Sequence, residues 1–129
     1  MKVVFNKVIP FSGFLAMCLW PFIFVREKAA SRYTVIVNNH EHIHAEQQKE
    51  MLVVGVILAV AFYFCIGLWS LLFLPIFLWW YCIEWFIRLF LNGRAYKNIS
   101  FEREAYFNET DLTYLGERKR FSWIKYLIR

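Results

Sequence analysis

Five consecutive positions, His40-Glu41-His42-Ile43-His44, hold all 3 histidines of the chain. On a helix, residues four apart share a face about 40° from each other, so the imidazoles of His40 and His44 can meet on one metal ion. Glu41 lies beside that face. In an HExxH arrangement the glutamate does not bind the ion but takes a proton from a water that the metal activates, turning it into a nucleophile. Gln47 and Gln48 project one turn beyond His44 and are candidates to hydrogen-bond the ligands or a substrate, whereas His42 and Glu46 point away. The same clump would also suit a polar cap on an interfacial helix.

A third ligand is needed, and the residue inventory limits it. There is no further histidine, and Cys18, Cys65 and Cys82 all lie inside apolar runs, where a thiol behaves as a small hydrophobe. The third ligand is therefore expected to be a carboxylate on the same side of the molecule as His40, which leaves Glu102, Glu104, Glu109 and Asp111. Glu84 is a weaker candidate because its spacing to Arg88 is that of an intrahelical ion pair. Two histidines and a carboxylate suit Zn2+ and leave a fourth position open for water.

The elements that must position these groups are read from composition. Hydrophobic residues make up 60% of the 129 positions and aromatics 21%, against roughly 45–50% apolar in soluble domains. A single, mainly α-helical integral membrane domain over residues 1–129 is the expectation. Residues 8–25 carry no charge and predict a first membrane segment, kinked or re-entrant at Pro10 and Pro21. Residues 51–67 and 71–91 predict a membrane hairpin turning near Gly67 to Ser70, with Pro75 in the first turns of its second arm. Between them, Thr34-Val35-Ile36-Val37 reads as a short strand, and Asn38 or Asn39 as the cap of an HExxH helix over 38–50. Asn92-Gly93 is a helix stop, and Ser100 to Asn108 predicts a polar helix within a cytoplasmic region 98–129.

Charge sets the expected orientation. Arg26, Lys28 and Arg32 flank one polar region and Arg94, Lys97 and Arg103 the other, so both are expected on the cytoplasmic side, in a bacterial inner membrane. The net charge of +5 is carried by Arg118, Lys119, Arg120, Lys125 and Arg129, interleaved with apolar residues. That pattern reads as a basic amphipathic helix on anionic lipid and not as a nucleic-acid surface. Trp69, Trp79, Trp80 and Trp85 read as membrane packing and belt residues.

Asn39-His40-Glu41 through His44, followed after a hairpin by Phe101-Glu102-Arg103-Glu104-Ala105, resembles the membrane-embedded gluzincin proteases of the prenyl-protein-processing and heat-shock types. In those families a second helix bears a Glu-x-x-Ala-Asp pattern whose glutamate is the third zinc ligand. The resemblance gives that role to Glu102, with Ala105 three positions on. The sequence departs from the pattern at Tyr106, where an aspartate is usual, and at the charged Glu46. As a whole the chain is similar to small bacterial membrane proteins with NHExxH and NISFEREAY segments.

These readings together imply a zinc-dependent membrane hydrolase, first a metallopeptidase acting on a membrane or juxtamembrane peptide. A lipid or lipoprotein amide or ester hydrolase is the second reading, and a non-enzymatic membrane adaptor the third. Tyr106, four residues after Glu102, could donate to an oxyanion or anchor the helix at an interface. Arg94 and Arg103 are open to substrate or lipid contact, Thr34 to Val37 could pair with a substrate strand, and a homo-oligomer could complete the walls of the site.

Overall fold

The computed structural model describes residues 1–92 and 95–128. The expected stop at Gly93, the contact residue Arg94 and the terminal Arg129 lie outside the described residues.

The N-terminal apolar run is a sheet and not a membrane segment. Strands β1 (Lys2–Asn6), β2 (Ala16–Leu19) and β3 (Phe22–Arg26) are ordered β1-β3-β2, with β1 parallel and β2 antiparallel to the central β3. Pro10 and Pro21 cannot sit in a helix interior without breaking it, and Phe22-Ile23-Phe24-Val25 alternates in strand fashion. Ile23 and Val25 are fully buried while Phe22 is exposed. One central strand thus serves as the core of the small sheet.

Helix α1 (Val35–Ile66) is 32 residues long and joins the two expected pieces, 38–50 and 51–66, without a break. It also absorbs the expected strand at residues 34–37. Thr34 is the cap, its side-chain oxygen accepting from the Val37 amide at 3.3 Å, because a β-branched hydroxyl residue at that position satisfies one of the free N-terminal donors. Asn38 and Asn39 lie inside the helix. At its far end Gly67 takes φ +57° and turns the chain into a 3-10 segment, Gly67–Phe73.

That segment returns directly along α1, and Gly55 makes the return fit. A Cβ on Gly55 would stand 2.4 Å from the Phe73 carbonyl oxygen, so only glycine allows the two backbones to approach. Helix α2 (Ile76–Asn92) follows Pro75. The expected second arm at 71–91 is therefore a 3-10 return plus a helix, and α2 runs beside the polar half of α1. One helical stretch among the described residues, Val35–Phe73, is long and apolar enough to cross a membrane; three separate spans are not formed.

After α2 come α3 (Ala95–Asn98), α4 (Ser100–Asn108) and α5 (Tyr114–Glu117). Their shared core is Met51, Ile99, Phe101 and Trp123, with Phe77 stacked on Phe101 at 4.6 Å between ring centroids. The C-terminal amphipathic helix expected from the basic residues is a short 3-10 turn, Ser122–Tyr126. It packs on α4, because Arg88 and Arg103 donate to the carbonyls of Leu127 and Tyr126 at 2.7 and 3.2 Å. Lys119, Arg120 and Lys125 stay exposed, but Arg118 is withdrawn into the interior.

Candidate metal centre

The site is assembled between two helices that are far apart in sequence. His40, Glu41 and His44 face inward from α1, and Glu102 reaches them from the first turn of α4; all four side chains are buried. The Nε2 atoms of His40 and His44 are 3.0 Å apart. The Glu102 carboxylate stands 3.5 Å from the first and 3.4 Å from the second. Among the described residues, these three form a group whose ligand atoms could hold a metal ion.

The outer hydrogen bonds decide what this meeting of atoms requires. His40 Nδ1 faces the Glu109 carboxylate at 2.8 Å, and a carboxylate can only accept, so Nδ1 carries the proton. Gln47 donates through Nε2 to the Phe101 carbonyl at 3.1 Å and to Glu104 at 2.8 Å. Its oxygen is therefore turned to His44 Nδ1, 2.8 Å away, and that nitrogen donates as well. Both neutral imidazoles then point an Nε2 lone pair at each other and at a carboxylate. Such a cluster could hold a metal ion at its centre, or share a proton there.

The surrounding carboxylates favour positive charge at this point. Burial by itself would lower the His44 pKa, but the Glu102 charge and hydrogen bonding, aided by Glu41, lift it to about 9. Burial would raise the Glu102 carboxyl, yet His44 and the hydrogen bonds with both imidazoles hold it well below the ordinary carboxylate range. Glu102 Oε2 has no hydrogen-bond partner, and neither does the buried Glu41 Oε2. Burial raises the Glu41 carboxyl, a shift that His44 and His40 oppose, which moves a carboxylate toward the working range of a general base.

Each other candidate carboxylate has a different task. Glu109 supports His40 from behind and is itself placed by Asn39, whose amide nitrogen donates to the carbonyls of Glu109 and Asp111 at 2.9 and 3.1 Å. Glu104, fully buried, accepts from Tyr114, Arg118 and Gln47. Asp111 is exposed and closes a local turn on Thr113. Glu84 accepts from the backbone amide and hydroxyl of Ser100 at 2.9 and 2.6 Å, pairing with Arg88 at 3.2 Å. It is the N-terminal anchor of the helix that carries Glu102, where a negative charge is favoured.

The remaining predicted residues divide in the same way. Gln48 does not face the ligands; it ties β2 to α1, donating to the Cys18 carbonyl and accepting from the Trp20 amide, both at 2.8 Å. Glu46 pairs with Lys49 on the surface. Tyr106 lays its ring edge-on against His40, centroids 4.7 Å apart, with Lys97 over it. Arg103 contacts the C-terminal backbone. Two tyrosines missed in the sequence stand at the site: Tyr81 donates to Glu102 Oε1 at 2.9 Å, and Tyr96 lines the same cavity. Both lie in apolar or linking stretches without a motif, so no local pattern marks them.

A cavity of about 350 Å³ opens beside the group, with Glu41, His44 and Glu102 in its wall. Its other sides come from residues 11–19 and from α2.

The sequence matches no family model, no curated protein and no solved structure.

Proposed function

We propose that the chain is a zinc-dependent hydrolase of the gluzincin type, working at a membrane surface. The observation that carries this reading is the triangle of ligand atoms, with edges of 3.0, 3.4 and 3.5 Å. Tetrahedral coordination with metal–ligand bonds of about 2.0–2.1 Å has edges of roughly 3.3–3.4 Å. The two orphaned carboxylate oxygens and the fixed imidazole tautomers fit a divalent cation equally well. A bound zinc ion supplies carbonyl polarisation and a more acidic water.

The residues of the chain do the rest. Glu41 accepts a proton as the water oxygen bonds to the carbonyl carbon, and delivers it to the leaving nitrogen as the carbon–nitrogen bond breaks; water is consumed and an acid and an amine are released. Glu109 and Gln47 hold the two imidazoles in register throughout, and Tyr81 holds Glu102 by donating to its Oε1. A peptide bond is the substrate implied by the gluzincin resemblance.

The membrane reading rests on α1. From Met51 to Ile66 the helix rises roughly 22 Å at 1.5 Å per residue, enough to enter the ~30 Å hydrocarbon layer deeply though shorter than its full thickness. Beyond Met51 its surface and that of the 3-10 return are mostly exposed and apolar, as at Val53, Ile57, Phe64 and Leu68. A bilayer covering Met51 to Phe73 leaves the polar ring of Glu46, Lys49 and Glu50, and the site with it, at the boundary.

Zinc analysis of the detergent-purified protein tests the proposal. Wild type is expected to hold one equivalent, His44→Ala and Glu102→Ala far less, and Glu41→Gln a full equivalent without turnover of quenched-fluorescent peptides. Equal zinc in the wild type and both ligand variants would defeat it.

A further inference from the structure

The cavity beside the metal group has a polar end and an otherwise apolar interior. Glu41, His44 and Glu102 stand in its wall with Gln48, Tyr81 and Tyr96, and the rest of the lining, Phe14, Met17, Phe77 and Trp85 among it, is apolar. Its volume of about 350 Å³ is roughly twice that of a ~150 Å³ apolar cavity able to take up benzene. An occupant must therefore be larger than one aromatic side chain, apolar along its length and polar where it meets the site. A peptide backbone drawn in would leave N–H and C=O groups without partners. Gln48 already occupies the Cys18 carbonyl and Trp20 amide on the neighbouring strand edge.

The way in is also apolar. Phe11, Leu78 and Trp85 line the cavity and are exposed at the surface, and the exposed Trp79, Ile83 and Phe86 continue that surface along α2. A hydrocarbon chain leaving the bilayer near Phe73 meets apolar side chains along this face as far as the cavity.

We infer that the cavity binds one hydrocarbon chain of an amphiphilic substrate, with the hydrolysable carbonyl of that amphiphile at the Glu41 end. This deepens the hydrolase reading and rests on it for the fate of the carbonyl. Binding of the chain is separable from turnover, because the apolar walls at residues 11–19 and along α2 lie outside the ligand set, of which only His44 and Glu102 reach the cavity.

The test uses full-length Glu41→Gln protein in phosphatidylcholine vesicles, with N-palmitoyl-glycine bearing a mid-chain diazirine as probe. Illumination and peptide mapping are expected to find adducts within residues 11–19 and 77–85, competed by excess unlabelled N-palmitoyl-glycine. Met17→Trp, or Ala16→Leu on the same wall should the first variant not fold, is expected to cut that labelling at least fivefold with zinc content unchanged. Lysophosphatidylcholine and an N-palmitoylated peptide, added as separate competitors, distinguish a lipid from a lipidated peptide as the source of the chain; competition by either supports the inference. Adducts confined to outward residues such as Ile57 and Phe64, or labelling indifferent to wall-filling variants and competitors, would overturn it. Labelled cavity with no zinc would instead remove the hydrolase reading and leave the chain site standing.

Discussion

Replacing Glu109 probes the contact that supports His40 from behind. Its carboxylate accepts from His40 Nδ1 at 2.8 Å, with the histidine side chain 9% and the glutamate 26% exposed. Loss of such a partner lowers metal affinity about 10–100-fold, or about 1.4–2.7 kcal/mol at ~1.36 kcal/mol per decade. Partial exposure screens the Glu109 charge, so Glu109→Ala is expected near the lower end, about 10–30-fold. Glu109→Gln keeps an acceptor for the Nδ1 proton, preserves the tautomer and loses only the charge; roughly threefold weakening is expected. Asn39→Ala, which releases the backbone of Glu109, moves in the same direction. Competition against a chromophoric chelator, in detergent at fixed pH and salt, reads all three. Zinc affinity within twofold of wild type in Glu109→Ala, alongside loss of zinc in Glu102→Ala, would refute the argument that the outer carboxylate sets the His40 tautomer.

Gly55→Ala places a methyl against the Phe73 carbonyl at 2.4 Å, and the overpacking is expected to cost on the order of 1–3 kcal/mol, measured as a lower midpoint in thermal unfolding; a wild-type midpoint would mean the return segment is not packed on α1. Arg118→Met leaves the fully buried Glu104 without its guanidinium partner and is expected to destabilise by about 3–5 kcal/mol; an Arg118→Met, Glu104→Gln double variant should recover part of that loss, and additivity of the two would contradict the pairing. Cys18 is buried, and burial first and Glu41 second push its thiol up to about 12. Because the folded pKa is raised, the thiolate is scarce at pH 8, about one part in ten thousand against roughly a quarter for an ordinary thiol. Iodoacetamide labelling of Cys18 in the folded protein should therefore climb about tenfold per pH unit, and a folded rate at pH 8 within tenfold of that of the SDS-unfolded chain would contradict this environment.

What the sequence determined by itself was local chemistry. The i, i+4 spacing of His40 and His44 needs only a helix to bring two imidazoles together, and residues 38–50 are helical. Glu102 entered through its short motif and the hairpin that returns it, and it does join them. Chain-length arguments stop there. An apolar run such as 8–25 satisfies a membrane segment and a buried sheet alike, because hydrophobicity counts residues and says nothing of which strand they pair with. The tertiary structure decided that residues 11–19 form a cavity wall, that Thr34 and not Asn38 or Asn39 caps α1, and that Arg118 leaves the basic tail for a buried pair with Glu50 and Glu104. It also separated the five candidate carboxylates into one beside the imidazoles, one behind them, one in a buried ion pair, one helix anchor and one surface turn. The roles of Glu84 and Glu109 depend on partners 16 and 69 residues away, and a hydrogen bond over such a separation exists only once the chain between has folded.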